Sequence, residues 1–409
     1  MENENIENIT NTNESIDNKR NKKKQNKEVK KSKKIFMYLL ILLTVYIYVE
    51  IIFLSLYLLG KIDNNKMPIY TITMNIIDSL DGEIFIPVLK ETKVDVALVG
   101  DIYGGYYVTK NNPNSYFSGY TEITKVLKNF DFVIASLNTP IADNTSTTIY
   151  DKYNTNSRIL NELKNINISA LAMANDRIDD KLVDGINQTI SKLTENNFKY
   201  TGIGENNLPV ILEKGNVKLG ILSYSSTIKN NNLVNYLTSE KVKKDVEYLK
   251  ENNVDLIISY VDIPNVEGKR ESKLQKESVD ILVDNGVNVI IGTGSKVVMQ
   301  RATDIIDDRY VYVIYSIGDF MGESTLEVKR EAVIPNMTII KKEYFDQNNN
   351  VISDKTHFDY MFNDEIIMYN ETSNSYQITN YILSEKYLGE GVLSSKHEKI
   401  KKDILDKLN

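Results

Sequence analysis

The chain has no cysteine, no tryptophan and only two histidines in 409 residues. Without cysteine there is no disulfide, zinc finger, iron–sulfur cluster or thiol nucleophile. Two histidines leave no room for a transition-metal site built on several imidazoles. Any metal would rest on carboxylates and other oxygens, which select hard ions such as Mg²⁺, Mn²⁺ or Ca²⁺. What is present is the make-up of a folded protein, 42% hydrophobic and 26% charged, long enough for roughly one to three domains.

The net charge of −7 hides an asymmetry. Residues 1–34 hold ten Lys or Arg, all from Lys19 onward, against six acids; this net of +4 leaves −11 on the rest of the chain. The stretch is Asn-rich, has few apolar residues and reads as a disordered basic tail. Residues 35–59 (IFMYLLILLTVYIYVEIIFLSLYLL) follow, 25 residues with a single charge, Glu50. Rising about 1.5 Å per residue, a helix of this length crosses a hydrocarbon core of about 30 Å. No small-residue cleavage pattern follows at Gly60-Lys61-Ile62-Asp63, so the segment is expected to be a retained transmembrane signal anchor. The basic tail then stays cytoplasmic and residues 61–409 lie outside, a single-pass cell-membrane arrangement. Orientation and anionic lipid headgroups explain the basic run better than nucleic acid does. Glu50 has two readings: it snorkels near the outer interface, or it meets a polar group on a partner membrane helix.

Residues 60–92 read as a linker leading into a first strand. From residue 93 short β-branched runs alternate with helix-length amphipathic segments. Strands are expected at 94–100, 130–137, 168–173, 217–224, 254–260, 287–292 and 310–316. A helix over 180–196 places Leu182, Ile186, Ile190 and Leu193 on one face, and another over 272–285 places Leu274, Val279, Leu282 and Val283 on its own. This alternation predicts one α/β domain over 93–342. Residues 343–409 are a C-terminal extension with one helix expected near its end.

In such sheets chemistry collects past the carboxyl ends of strands. Asp101, Ser136, Asn138, Asn175, Asp176, Arg177, Asp262, Lys296 and Asp319 all stand there. Gly292-Thr293-Gly294-Ser295-Lys296 lacks the spacing of a phosphate loop, and Gly202-Ile203-Gly204 lacks a dinucleotide fingerprint. Two late histidines, His357 and His397, cannot assemble a Ser–His–Asp set and read as surface residues.

The motifs at these strand ends, in their order, resemble those of the CapA/PgsA family of capsule synthesis proteins. Gly100-Asp101-Ile102 with Gly104-Gly105 resembles the opening GD-[VI]-M-x-G-R. Ser136-Leu137-Asn138-Thr139-Pro140 resembles N-[LF]-E-x-P. Ala174-Asn175-Asp176-Arg177 with Asp180 resembles A-N-N-H-x-x-D. Gly292-Thr293-Gly294-Ser295-Lys296-Val297 stands where the family has G-H-H-P-H-V, and Ser316-Ile317-Gly318-Asp319-Phe320 resembles S-L-G-N-F. The resemblance spans about residues 94–321. It implies a metallophosphatase-like sandwich of two sheets flanked by helices, after one transmembrane helix. It also implies a membrane-anchored role in making or exporting poly-γ-glutamate.

The departures bear on chemistry. Family members with the full motif set look equipped with Asp, Asn and His ligands for a two-metal phosphoesterase-like site. Asp101 persists here. Ser136 replaces an Asn and Asn138 a Glu; Asp176 replaces an Asn and Arg177 a His. Asp262 falls where the family has another His, and Thr293, Gly294 and Lys296 take the positions of the last three. Arg177 and Lys296 put fixed positive charge where cations would bind, so ion pairs are expected to stand in for metal ions and no cofactor is expected. The rival reading is a hard divalent ion, Mn²⁺ or Mg²⁺, held by Asp101, Asp176 and Asp262 with Asp319.

Three functions compete. The first is a CapA-like subunit of a capsule synthesis complex without the hydrolytic site. Its partners would be the membrane, the other subunits and poly-γ-glutamate itself, with Arg177, Lys296 and Arg301 as the basic contacts for that polyanion. The second is an extracytoplasmic phosphoesterase-like hydrolase with a rebuilt carboxylate site. The third is an exported, non-catalytic scaffold of the same fold.

Overall fold

The computed structural model describes residues 37–38, 40–49, 51–52, 88–103, 115–143, 153–205, 207–264, 270–322, 324–346, 349–352, 356–373, 378–388 and 393–409. The chain divides into two units, Met1–Pro87 and Val88–Asn409. In the first, the described residues are helical and most of their apolar side chains are exposed, Leu42 at 66% and Tyr48 at 68%. Among the described residues no helix is long and apolar enough to cross a membrane. The expected span 35–59 reaches beyond them on both sides, and Glu50 and the basic tail lie outside them.

The second unit contains two large sheets. The first has the order β14 (His357–Phe362), β13 (Asn336–Phe345), β1 (Val88–Ile102), β2 (Phe132–Leu137), β3 (Ile168–Ala172), β4 (Lys199–Thr201), and β11 (Asp319–Met321) also pairs with β1. The second has the order β5 (Val210–Lys214), β6 (Val217–Ser225), β7 (Leu256–Asp262), β8 (Val289–Thr293), β10 (Arg309–Ile314), β9 (Arg301–Ile306). A third, small sheet joins β12 (Glu331–Ile334), β15 (Ile366–Thr372) and β16 (Ile378–Ile382). All seven strands expected from the β-branched runs are present.

The two-residue period of a strand sorts its side chains into layers. On β1, Val94, Val96 and Leu98 face a core shared by both large sheets, whereas Ala97 and Val99 face a second core. On β7, Leu256, Ile258 and Tyr260 enter the shared core, and Ile257 and Val261 enter a third. Helices Thr121–Leu127, Arg158–Asn165 and Leu182–Glu195 supply residues to the second core, and Ser239–Glu251 and Lys273–Asp284 to the third. The result is a helix–sheet–sheet–helix stack. β7 is buried along its whole length, as a strand covered on both faces must be.

Local signals set the helix ends. Ser272 and Gln275 form a capping box before Lys273–Asp284, and the Thr238 side chain accepts from the Lys241 amide. Asn197, Asn253 and Gly286 take left-handed φ of 54°, 55° and 98° just past helix ends.

Two side chains depart from expectation. Leu182 is 70% exposed with φ 56°, because the turn before the helix breaks the helical phase at its first residue. Leu274 also points to solvent at 43%. Gln275 takes the buried place beside it, since the capping box and the Tyr315 carbonyl, 3.1 Å from its Nε2, satisfy its amide.

The residues after 342 are integral to the fold. β14 edges the first sheet, β15 and β16 build the third, and the helix Ser395–Leu408 sends Ile400, Ile404 and Leu408 into the shared core. Near the end of that helix the Lys407 ammonium pairs with Glu331 of β12, and both side chains are buried. β14 alternates exposed and half-buried positions and β15 opens on an apolar run, both of them strand signals, although only the closing helix was expected beyond residue 342.

Candidate functional site

Strand register brings the acids together. Asp101, at the end of β1, lies opposite Ser136 on β2 and Asp319 on β11. Asp262 ends β7 opposite Thr293 on β8. The loop after β3 carries Asn175, Asp176 and Arg177, and the loop after β8 carries Gly294, Ser295 and Lys296. A β-bulge between Val99 and Asp101 shifts the register next to the site. Just below, the Tyr260 hydroxyl faces the carbonyls of Ile134 at 2.9 Å and Val99 at 3.2 Å, tying one sheet to the other.

Asp101, Asp262 and Asp319 are almost wholly buried, and Asp176 is partly so. Burial disfavours a charged carboxylate, and a neighbouring carboxylate disfavours it further. Burial pushes Asp101 up to about 6; the Ser136 hydroxyl and the Gly294 amide ease the shift, and the charge of Asp176 adds to it. Burial and then the charges of Asp176 and Asp101 push Asp262 well above the usual range. Burial does the same to Asp319 against the pull of Lys296, and it raises Asp176 against Arg177 and Lys296. Asp101 Oδ1, Asp176 Oδ1, both Asp262 oxygens and Asp319 Oδ1 are buried without a hydrogen-bond partner.

Two cations serve this cluster. Arg177 pairs with Asp176 at 3.5 Å and Asp180 at 3.8 Å, and its guanidinium lies 4.9 Å from the Tyr153 ring centroid. Burial works against that charge, but the two acids outweigh it and keep the guanidinium protonated. The Lys296 ammonium lies 4.4 Å from the ring centroid of Tyr103 and 5.9 Å from that of Tyr153, within the range of cation–π attraction.

Other expected residues have structural duties. Ser136 Oγ donates to Asn138 Oδ1 at 3.0 Å, Asn138 Nδ2 donates to the Tyr103 hydroxyl at 3.0 Å, and that hydroxyl donates to Asp101 Oδ2 at 3.3 Å. Burial and the surrounding acids raise the Tyr103 phenol well above its ordinary value, so it remains a donor. Asn175 Nδ2 donates to the carbonyls of Leu137 and Met173, which ties the ends of β2 and β3. Arg301 is paired with Glu365. His357 lies on β14 beside Asp359, and His397 packs against Tyr381.

The motifs did not reveal Tyr153, which reaches the site from a loop without a sequence signature. Tyr103 carried one signal, its place two residues after Asp101.

A two-metal centre of the phosphoesterase kind does not fit these residues. Among the described residues no group of three or more His, Cys, Asp or Glu is placed to hold a metal ion. No imidazole contributes, and two protein cations already act on the same carboxylates. The orphaned oxygens are hard donors, which a hard cation would suit better than any soft one.

Gly294 joins two of the acids. Its amide donates to Asp101 Oδ2 at 2.9 Å, its φ is 84°, and a Cβ there would meet Asp262 Oδ1 at 2.6 Å and the Pro264 nitrogen at 3.0 Å. Gly294→Ala is expected to cost about 1–3 kcal/mol from left-handed strain and displacement of Asp262. Thermal unfolding of the variant beside native protein measures the loss, and an unchanged melting temperature would remove Gly294 as the joint.

Residues 95–324, more than half of the chain, match the family of the bacterial capsule synthesis protein PGA_cap. The chain belongs to that family. No curated protein sequence matches it. Among solved structures it is similar to a novel phosphatase of Mycoplasma pneumoniae, at 13% identity and a TM-score of 0.37, over 67% of this chain and 95% of that one. It is also similar to the protein TT1561 of Thermus thermophilus, at 9% identity and a TM-score of 0.33, over 66% of this chain and 99% of that one.

Proposed function

We propose that this chain is a membrane-anchored subunit in the synthesis or export of a poly-γ-glutamate capsule, and that it works without a metal-dependent hydrolytic site. Family membership supports the capsule role. The single observation that carries the second clause is the placement of two cations at this rim, Arg177 paired with Asp176 and Asp180 and Lys296 over the ring of Tyr103, whose hydroxyl donates to Asp101. In this reading the fold is a metallophosphatase-like sandwich whose rim has exchanged ligands for charged side chains. The exposed apolar helix within residues 37–52, following a basic run, supports a cytoplasmic tail, a single anchor and an extracellular α/β unit. With −11 on the chain after residue 34, contact with a polyanion has to be local. Arg177 and Lys296 share one rim and offer such a spot. Deleting the gene is expected to abolish or strongly reduce surface poly-γ-glutamate, measured on washed cells. Unchanged polymer would sink the capsule role.

The orphaned carboxylate oxygens favour a second reading, a hydrolase with a carboxylate-held hard ion. A phosphodiesterase assay with added Mn²⁺ separates the two. The first reading expects no turnover, and activity lost in Asp101→Ala would establish the second.

A further inference from the structure

Beyond the acid cluster the same strand ends border a cleft of different chemistry. The loop after β3 runs past Arg177 into the helix Leu182–Glu195, and the loop after β6 runs past Ser226, whose amide donates to the Asp262 carbonyl at 3.0 Å. Between them lies a cleft of about 690 Å³, with Asp179, Val183 and Asn187 on one wall and residues 227–233 on the other. An adjoining lobe of about 530 Å³ continues past Tyr200 to Asn207 and Leu208. The two lobes share Asn187, Glu205 and Leu233, so they form one elongated trough. Its walls are fastened. The Gly204 amide donates to the Leu233 carbonyl at 2.8 Å, Asn231 Oδ1 accepts from the Leu233 amide at 3.1 Å, and Ser225 Oγ accepts from the amides of Thr227 and Ile228.

Side-chain amides dominate this trough. Five asparagines line it, Asn187, Asn207 and three in a row from Asn230, against one lysine, Lys229, and two acids, Asp179 and Glu205. An amide offers donors and acceptors together, which suits a neutral ligand with the same mixture, whereas a polyanion would meet more negative charge than positive. A peptide strand docks on unpaired backbone, but the backbone here is already paired, Ile203 with Val234 and Gly204 with Leu233. Asn207 gives the sharpest sign. Its Oδ1 accepts from the Gly202 amide at 3.1 Å and the Thr201 hydroxyl at 3.3 Å, while its Nδ2 is buried with no hydrogen-bond partner. A donor left so is costly until an acceptor reaches it. Leu208 beside it is 56% exposed, and Val183 in the other lobe 51%. We propose that this trough binds a neutral oligosaccharide carrying N-acetyl groups. An acetamido carbonyl would accept from Asn207 and its methyl group would rest on Leu208, while ring hydroxyls would exchange hydrogen bonds with Asn187 and Glu205. The inference rests neither on the acid cluster nor on the capsule role.

The test uses the full-length chain in a detergent without a sugar headgroup and measures binding of the N-acetylglucosamine tetramer by calorimetry. Native protein is expected to bind it, and to bind cellotetraose, which lacks acetamido groups, roughly fivefold more weakly or worse. Asn187→Ala and Glu205→Ala change exposed side chains. Each should weaken the tetramer by about two- to tenfold, the worth of one hydrogen bond, without moving the melting temperature. Asn207→Asp keeps the bonds that Oδ1 accepts and removes the donors, so it should bring the tetramer down to the affinity of cellotetraose. Native protein that binds no tetramer, or binds the two sugars equally, would overturn the inference. So would folded Asn187→Ala and Glu205→Ala variants that bind like native protein. Displacement of the bound tetramer by poly-γ-glutamate would overturn it as well, since a polyanion would then be the ligand of the trough.

Discussion

Replacing Lys407 with Met is expected to destabilise the folded chain by about 3–5 kcal/mol, because it strands a buried carboxylate. Lys407 and Glu331 are 6% and 3% exposed, and their charges pair at the foot of the C-terminal helix. Burial already raises the Glu331 carboxyl, with Lys407 pulling it back toward the ionised form. The loss would be felt at the candidate site. A Cβ on Gly318 would lie 2.3 Å from the Glu331 carbonyl, and one on Gly100 would lie 2.2 Å from the Gly318 carbonyl. These three backbones are stacked so closely that a shift in β12 moves β11 and the end of β1, where Asp319 and Asp101 stand. Urea unfolding followed by circular dichroism measures the effect. The double variant Lys407→Met/Glu331→Leu should recover most of the stability, since an apolar pair of similar volume removes both charges. A single variant within about 0.5 kcal/mol of native would place the pair among inconsequential surface charges.

The acid cluster predicts an unusual pH dependence. Asp101 titrates near 3.8 when unfolded and at about 6 when folded. Between those values the folded state holds more protons than the unfolded one, so stability falls as pH rises. Asp101 alone accounts for about 3 kcal/mol between pH 4 and pH 7, at about 1.4 kcal/mol per unit. Asp262 and Asp319, raised further, extend the decline to higher pH. Glu271, Glu371 and Glu385 are lowered by lysine partners; their stabilisation is lost only as pH falls below the ordinary Glu range, outside this window. The unfolding free energy is therefore expected to drop from pH 5.5 to pH 8, and Asp262→Asn should flatten the slope and raise the melting temperature at pH 8. A native protein whose stability is flat or rises across this range would show that the carboxylates are already fully compensated.

The fold was legible where physics is local. VDLIISY, which leads into β7, is apolar and β-branched enough to announce a strand, and the helix Leu182–Glu195 announces itself by the spacing of Ile186, Ile190 and Leu193. The approach of Asp101, Asp176, Asp262 and Asp319 was legible too, because each stands just past a strand of one α/β pattern. Contacts between distant segments were not. Nothing near Lys407 names Glu331, 76 residues earlier. Lys296 was legible as a charge out of place in its motif, but its seat on Tyr103 depends on a left-handed backbone at a residue type that seldom adopts one.

The pairing of β1 has a consequence for the order in which the molecule is built. Its antiparallel neighbour is β13, with Val88 opposite Phe345, and Asp101 meets Asp319 only through β11. Contacts this remote in sequence form late, after a long loop has closed. As the chain emerges, its four acids remain apart and hydrated until most of its length is available. Their mutual repulsion arises only when sheet pairing and the shared core can bear it, and Lys296 arrives between the third acid and the fourth.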